Sequence, residues 1–232
     1  MNITTLVKCL AVCGILFALS FATAPTPSYH EGFQTVDSDT AIRLLTEGNS
    51  RFVAGESIHP HEAFSWRANL ENEQHPWAVL LTCSDSRVPP ELIFDQGFGD
   101  LFVIRVAGNI VDTDVIASIE YAVDYLDTQL VVVMGHTHCG AVTAAVDSEK
   151  HASHDPVEIT SLVHRIQPAV NFVEGEDRNE TIKRSVVNNV ALSVKRLKEV
   201  ADLQRALEQR DVKIVGSMYD MHTGIVTFDE NQ

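Results

Sequence analysis

The sequence predicts an α/β fold built on a mostly parallel central sheet, four parallel strands plus one antiparallel edge strand, flanked by helices. Three observations predict it. Short apolar runs alternate with longer segments of helical period, the pattern of strand–helix–strand units. The run Leu130-Val-Val-Val-Met134 has no polar member, so it is covered on both faces, as strands of a parallel sheet are. The closing turn Tyr219-Asp-Met-His-Thr-Gly224 is short enough to fold the last strand back as a hairpin. With 232 residues there is enough chain for one sizeable core. The net charge of −15 argues against a nucleic-acid partner, which needs a basic face.

Residues 1–24 differ from the rest. A polar start with Lys8 precedes the apolar run Leu10–Ala22, then the small residues Ala22-Thr23-Ala24 and Pro25-Thr26-Pro27. This is the layout of a signal peptide, and the run is short for a membrane span. Cleavage is expected after Ala22 or Ala24, with an uncleaved anchor as the alternative. The expected organisation is therefore a signal peptide over 1–24, a leader or linker over 25–38, and one domain over 39–232. The mature protein is expected to be exported, periplasmic or secreted, with no membrane partner after cleavage.

Within the domain, Ile42, Leu44 and Leu45 predict a short amphipathic helix over Thr40–Glu47 stopped by Gly48, with Asn49 capping a further turn. Residues Glu62–Glu73 read as a polar helix. Strands follow at Trp77–Thr82 and Leu101–Val106. Asp114 is placed as the cap of a helix that carries Ile116, Ile119, Val123 and Leu126 on one face. A third strand spans Leu130–Met134, and a helix starts at Cys139. Val157–Val173 and Glu180–Leu207 are helical, the second with a break near Ala201. Val212–Ser217 is the fourth strand and Ile225–Phe228 the edge strand.

Candidate chemistry sits where these strands end. Cys83-Ser-Asp85-Ser-Arg87 follows the first strand, and Gly135-His136-Thr-His138-Cys139-Gly140 follows the third. In such sheets ligands bind beyond the carboxyl ends of the strands. His136-x-x-Cys139 has the spacing of a metal clip, and Cys139 opens a helix, whose dipole favours the thiolate. With Cys83 the set becomes Cys2His, three protein ligands, which leaves a fourth zinc position open. Cys9 and Cys13 leave with the signal peptide, and two remaining cysteines in an exported protein commonly pair. A Cys83–Cys139 disulfide would leave His136 unexplained, and a Cys–His nucleophile would leave one Cys unexplained. Gly135-x4-Gly140 is half a P-loop, but Ala141-Val142 stands where Lys-Ser/Thr is required. His138, His151 and His154 read as solvent-facing loop residues.

Cys83-x-Asp85-x-Arg87 followed by His136-x-x-Cys139 resembles the β-class carbonic anhydrases, of the plant-like active-site type and in a bacterial-type exported form. The resemblance runs from about residue 40 to 229 and includes Arg105-Val-Ala-Gly-Asn109, Ile119-Glu-Tyr121 and Tyr219-Asp220 with Thr223-Gly224. It implies a homodimer or tetramer, with the N-terminal helices packing on a partner subunit and part of the pocket crossing the boundary. It implies reversible hydration of CO2 to bicarbonate and a proton, with one Zn2+ per subunit on Cys83, His136 and Cys139. By position it implies that Asp85 and Arg87 are catalytic and that Gln74, Val88, Phe102, Tyr121 and Gly140 line the CO2 pocket. Some bacterial members hold inhibitory bicarbonate beside a Trp three residues before the first Cys. Leu80 stands there, so that pocket is not implied although Arg105 matches its arginine. Two thiolates cancel the charge of zinc, so Arg87 is expected to supply positive charge. Asp85 is acceptor-only when ionised and can orient the attacking oxygen. Released by Arg87, it could instead become a fourth metal ligand in an inactive state. The alternatives are a hydrolase of carbonyl sulfide or carbon disulfide on the same fold, and a zinc-binding protein without catalysis.

Overall fold

A computed structural model describes residues 36–148 and 155–229. The expected signal peptide and most of the linker lie outside the described residues, as do His151 and His154. Five strands form one sheet in the order β2-β1-β3-β4-β5. They are β1 Ala78–Thr82, β2 Leu101–Arg105, β3 Leu130–His136, β4 Lys213–Tyr219 and β5 Val226–Asp229. The first four run parallel and β5 pairs antiparallel with β4, as the sequence predicts.

Side chains alternate across the sheet, so it builds two cores. Ala78, Leu80, Val132 and Met134 face one side, where they meet Ala41 and Leu45 of helix α1 (Ser38–Ala54), Val142 and Ala145 of α5 (Gly140–Ser148), and Val163 and Ile166 of α6 (Val157–Ile166). Val79, Leu81, Val131 and Val133 face the other. They meet Val115, Ile119 and Val123 of α4 (Thr113–Tyr125), Val190, Val194 and Leu197 of α7 (Arg178–Lys198), and Leu203 of α8 (Ala201–Gln209). β1 and β3 are buried along their whole length, which is why they read as unbroken apolar runs.

Some local expectations change. α1 does not stop at Gly48; it runs to Ala54 and ends at Gly55 in the left-handed conformation, φ 71°. Gly48 serves close packing, because a Cβ there would lie 1.7 Å from the Phe94 carbonyl oxygen. Asn49 is not a cap either. Its amide donates to the carbonyls of Ile93 (3.1 Å) and Gly224 (2.9 Å), and its oxygen accepts from Val226 N (2.9 Å). One buried side chain thus ties α1 to β5. Asp112, not Asp114, caps α4, accepting from Val115 N at 2.9 Å. The polar helix shrinks to α2, Phe64–Asn69. α6 ends at Ile166 and passes into a 3-10 turn over Gln167–Ala169. A short helix α3, Pro90–Ile93, starts on a proline whose missing N–H costs nothing at that position. The break before α8 falls at Glu199–Val200, close to the expected place.

Beneath α1, the carboxylate of Asp95 is fully buried. It accepts from Arg51 Nε (2.5 Å), Ile58 N (3.1 Å) and His59 N (3.0 Å). Burial pushes the carboxyl up, but the Arg51 bond and the two amides outweigh it and hold it below its ordinary value. Replacing Asp95 with Ala leaves a partly buried guanidinium and two amides unpaired, at a cost of about 3–5 kcal/mol. Urea unfolding at neutral pH checks this. A depressed folded pKa gives stability that is present above the ordinary carboxylate value, about 3.9. It is lost as pH falls through the folded value. The gap between wild type and Asp95→Ala should therefore be full at neutral pH and close in acid.

Candidate metal centre

Register brings the candidate residues together. Thr82 lies level with Met134, so Cys83, the residue after β1, emerges beside Gly135 and His136 at the end of β3. β3 runs on to His136 because its last residues still pair with Met218 and Tyr219 of β4. Gly135 permits that approach, since a Cβ there would meet Val190 Cγ2 at 2.5 Å and Met218 Sδ at 3.0 Å. A tight turn through His138, φ 59°, then delivers Cys139 to the start of α5. The carbonyl of Cys139 accepts from Thr143 N at 3.0 Å.

The ligand atoms of Cys83, His136 and Cys139 all lie within 4.8 Å of one another, and all three residues are buried. Both cysteines are free thiols, so the disulfide alternative does not hold. His136 Nδ1 bonds the Thr137 carbonyl at 3.0 Å, so it carries the proton and leaves Nε2 as a lone-pair donor. His136 Nε2 is buried with no hydrogen-bond partner. An orphaned imidazole nitrogen beside two sulfurs is costly unless a metal takes it up, and the donor set fits zinc.

The sulfurs are electrostatically prepared. A hydrogen bond from the Cys139 thiol, helped by the amides of Gly108 and Asp85, outweighs burial and lowers the Cys83 thiol to about 4. Cys139 is pushed up, because it keeps its proton against that negative neighbour and is itself buried. The amides of Ala141 and Val142, in the first turn of α5, act in the opposite sense and favour its thiolate.

Beside the triad stands the acid–base pair. Arg87 donates from Nε to Asp85 Oδ1 (2.9 Å) and from a terminal nitrogen to Oδ2 (2.7 Å), and its backbone N–H also reaches Oδ1 (3.0 Å). These bonds hold the Asp85 carboxyl well below the usual carboxylate range. The carboxylate is therefore engaged by Arg87 and is not one of the clustered metal-ligand groups. Arg87 also reaches the carbonyl of His138, tying the two loops together.

Arg105 has a different place from the one its likeness to a bicarbonate pocket suggests. Its Nε donates to the Cys83 carbonyl (3.0 Å) and a terminal nitrogen to the Asp85 carbonyl (2.5 Å). It therefore clamps the loop that carries both ligand and acid. The sequence marks Arg105 only as the head of the Arg105-Val-Ala-Gly-Asn109 motif; the clamp depends on β2 lying beside β1.

The remaining expected pocket residues divide into two groups. Val88 is buried in the same cluster as Cys83 and Cys139. Gly140 follows Cys139, and a Cβ there would meet nothing within 4 Å, so the chain is uncrowded on that side. Phe102 and Tyr121 pair with each other, ring centroids 6.3 Å apart, and Tyr121 stacks on Tyr125. Phe102 packs toward the cluster on the face opposite the cysteines. Gln74 is exposed in the loop before β1. Within one chain these three residues are not brought to the triad.

An open parallel sheet with Cys83, His136 and Cys139 converging beyond adjacent strands, and the Asp85–Arg87 pair at their side, defines an α/β protein with a candidate metal site at the carboxyl ends of its strands. Residues 78–226 match the family model of carbonic anhydrase. The chain is 40% identical over 187 residues to carbonic anhydrase 2 of Mycobacterium tuberculosis, covering 79% of this chain and 89% of that protein. It is 36% identical over 197 residues to a carbonic anhydrase of Mycolicibacterium smegmatis, covering 80% and 90%. The solved β-carbonic anhydrase CcaA superposes with a TM-score of 0.64 at 28% identity, covering 81% of this chain and 94% of that one. One of two tetrameric β-carbonic anhydrases of Sordaria macrospora superposes at 0.62 with 26% identity, covering 82% and 97%. The chain belongs to the β-carbonic anhydrase family, whose general reaction is the hydration of CO2.

Proposed function

We propose that this protein catalyses the reversible hydration of CO2 to bicarbonate and a proton, with one zinc ion held by Cys83, His136 and Cys139. The observation that carries this reading is the buried, unpartnered His136 Nε2 among two sulfurs, with the Asp85–Arg87 pair alongside. When bound, zinc supplies the Lewis acidity that makes a water nucleophilic near neutral pH. Asp85, kept ionised by Arg87, accepts a hydrogen bond from the attacking water and turns its lone pair toward CO2. The guanidinium offsets part of the negative charge of two thiolates. Val88 gives an apolar wall and Gly140 leaves room for the substrate.

Gln74, Phe102 and Tyr121, which one chain keeps away from its own triad, would complete the pocket of a second copy, in a homodimer or tetramer. Gln74 would then donate to a CO2 oxygen. The attack forms the new C–O bond of bicarbonate, and the proton the water releases passes to buffer. We also read the protein as exported on its residues 1–24, which N-terminal sequencing of the mature protein tests; full-length cytoplasmic protein would refute it. Among the described residues no helix is long and apolar enough to cross a membrane.

Stopped-flow CO2 hydration, with zinc quantified in the same sample, tests the main reading. Stoichiometric zinc with rapid hydration is expected. Full zinc with no hydration would overturn it in favour of a zinc-binding protein. Turnover of carbonyl sulfide or carbon disulfide instead of CO2 would move the substrate assignment.

A further inference from the structure

Helix α7 carries a row of buried polar residues on a face built otherwise of Val186, Val190, Val194 and Leu197. Thr181, Ser185, Asn189 and Ser193 recur at every fourth position, so they share one face. Burying an amide such as Asn189, 2% exposed, is unfavourable unless its hydrogen bonds are made. Asn189 and Ser193 make theirs to one short segment. Asn189 Nδ2 donates to the Gly108 carbonyl at 2.7 Å, and Ser193 Oγ donates to the Asn109 carbonyl at 3.1 Å.

That segment touches the metal centre. The backbone N–H of Gly108 donates to Cys83 Sγ at 3.3 Å. Gly108 (φ 68°) and Asn109 (φ 43°) are two successive residues in the left-handed region, which is unfavourable for the asparagine without outside support. Glycine suits 108, because its φ of 68° is strained for any side chain and a Cβ would crowd Ile166 Cδ1 (2.6 Å) and Ala141 Cβ (3.2 Å). Asn189 and Ser193, one helical turn apart, brace the carbonyls of both residues.

We infer that Asn189 and Ser193 are positioning residues that hold the Gly108 amide on the Cys83 sulfur and so fix the orientation and donor strength of that sulfur toward zinc. The inference rests on the zinc reading above. Outer partners of metal ligands contribute about 10–100-fold to metal affinity. A leucine at 189 keeps the branched four-atom outline of the side chain and suits the apolar face, so it removes the donor, although its bulkier methyl group must sit farther from the Gly108 carbonyl.

The test compares wild type, Asn189→Leu, Ser193→Ala and Ser185→Ala as full-length protein. Ser185 lies one turn before Asn189, is fully buried, and its hydroxyl has no partner among the described residues. Zinc affinity is read by chelator competition, and sulfur-to-metal absorption is read after cobalt substitution. Asn189→Leu is expected to weaken zinc about 10–100-fold and to shift the cobalt absorption. Ser193→Ala should move both in the same direction by less, and Ser185→Ala should leave both at the wild-type value. Wild-type affinity and absorption in Asn189→Leu would overturn the inference, whatever its melting temperature. Should Asn189→Leu fail to fold, unchanged values in Ser193→Ala would overturn it equally. A wild-type protein that binds no zinc would instead refute the metal reading itself.

Discussion

A Cys83→Ser protein is expected to purify without stoichiometric zinc and to hydrate CO2 no faster than buffer alone. Serine is close in size, and Cys83 is only 4% exposed, so the strand end can keep its shape. The chemistry changes completely. The sulfur that takes on negative charge most readily in the site is replaced by a hydroxyl that stays neutral. Loss of an outer-shell partner already costs about 10–100-fold in metal affinity, and loss of an inner donor exceeds that. Metal analysis of the purified protein, with circular dichroism to show a retained fold, checks the result. A variant with full zinc and wild-type turnover would remove Cys83 from the ligand set.

The second large effect is expected at Arg87. Its side chain is 56% exposed, so its loss leaves the buried core intact. Zinc-loaded Arg87→Ala should lose about 10²–10³ in kcat, the cost of removing a preorganised polar partner from an active site. Asp85→Asn should lose about 10²–10⁴, as for a positioned proton acceptor. The double variant should be little worse than the poorer single one, because the two residues act as a unit. The pH dependence has a definite sign. In the wild type, the Arg87 bonds keep Asp85 ionised far below any practical assay pH. Activity that falls on mild acidification therefore does not report protonation of Asp85. In Arg87→Ala the carboxyl returns toward its ordinary value, about 3.9, still well below neutrality. Raising the pH should accordingly not restore the variant. Wild-type turnover by zinc-loaded Arg87→Ala above neutral pH would show that the pair has no role in the reaction.

Much of this arrangement is legible in the chain because it is local. β1 and β3 declare themselves by unbroken apolar runs, and both ligand motifs follow directly from strand ends. His136-x-x-Cys139 carries its own geometry, and Asp85 and Arg87 are close enough in sequence to pair without help. What escapes is set by distant contacts. Gly48 looks like a helix stop because nothing near it shows that the Phe94 carbonyl will press against its Cα. Asn49 looks like a cap because its true partners lie at Ile93, Gly224 and Val226. Arg105 is visible as part of a motif, but its bonds to two carbonyls depend on β1 and β2 lying side by side. Asn189 sits in a helix whose polar row could equally face solvent until packing buries it. In each case the residue's role belongs to its surroundings, and short-range patterns do not encode those.

The pairing of β1 with β3 also fixes when the centre can come into being. His136 and Cys139 lie on one short stretch, but Cys83 joins them only after a long connection through β2 and α4 has closed. Such non-local pairing is slow, since the chain loses the entropy of the loop before contacts reward it. No half-made chain therefore presents all three donors. A metal ion held by all three would bind the folded sheet more tightly than the open chain and would add that difference to folding. It would act as a bolt through two neighbouring strands, driven home after the frame has closed.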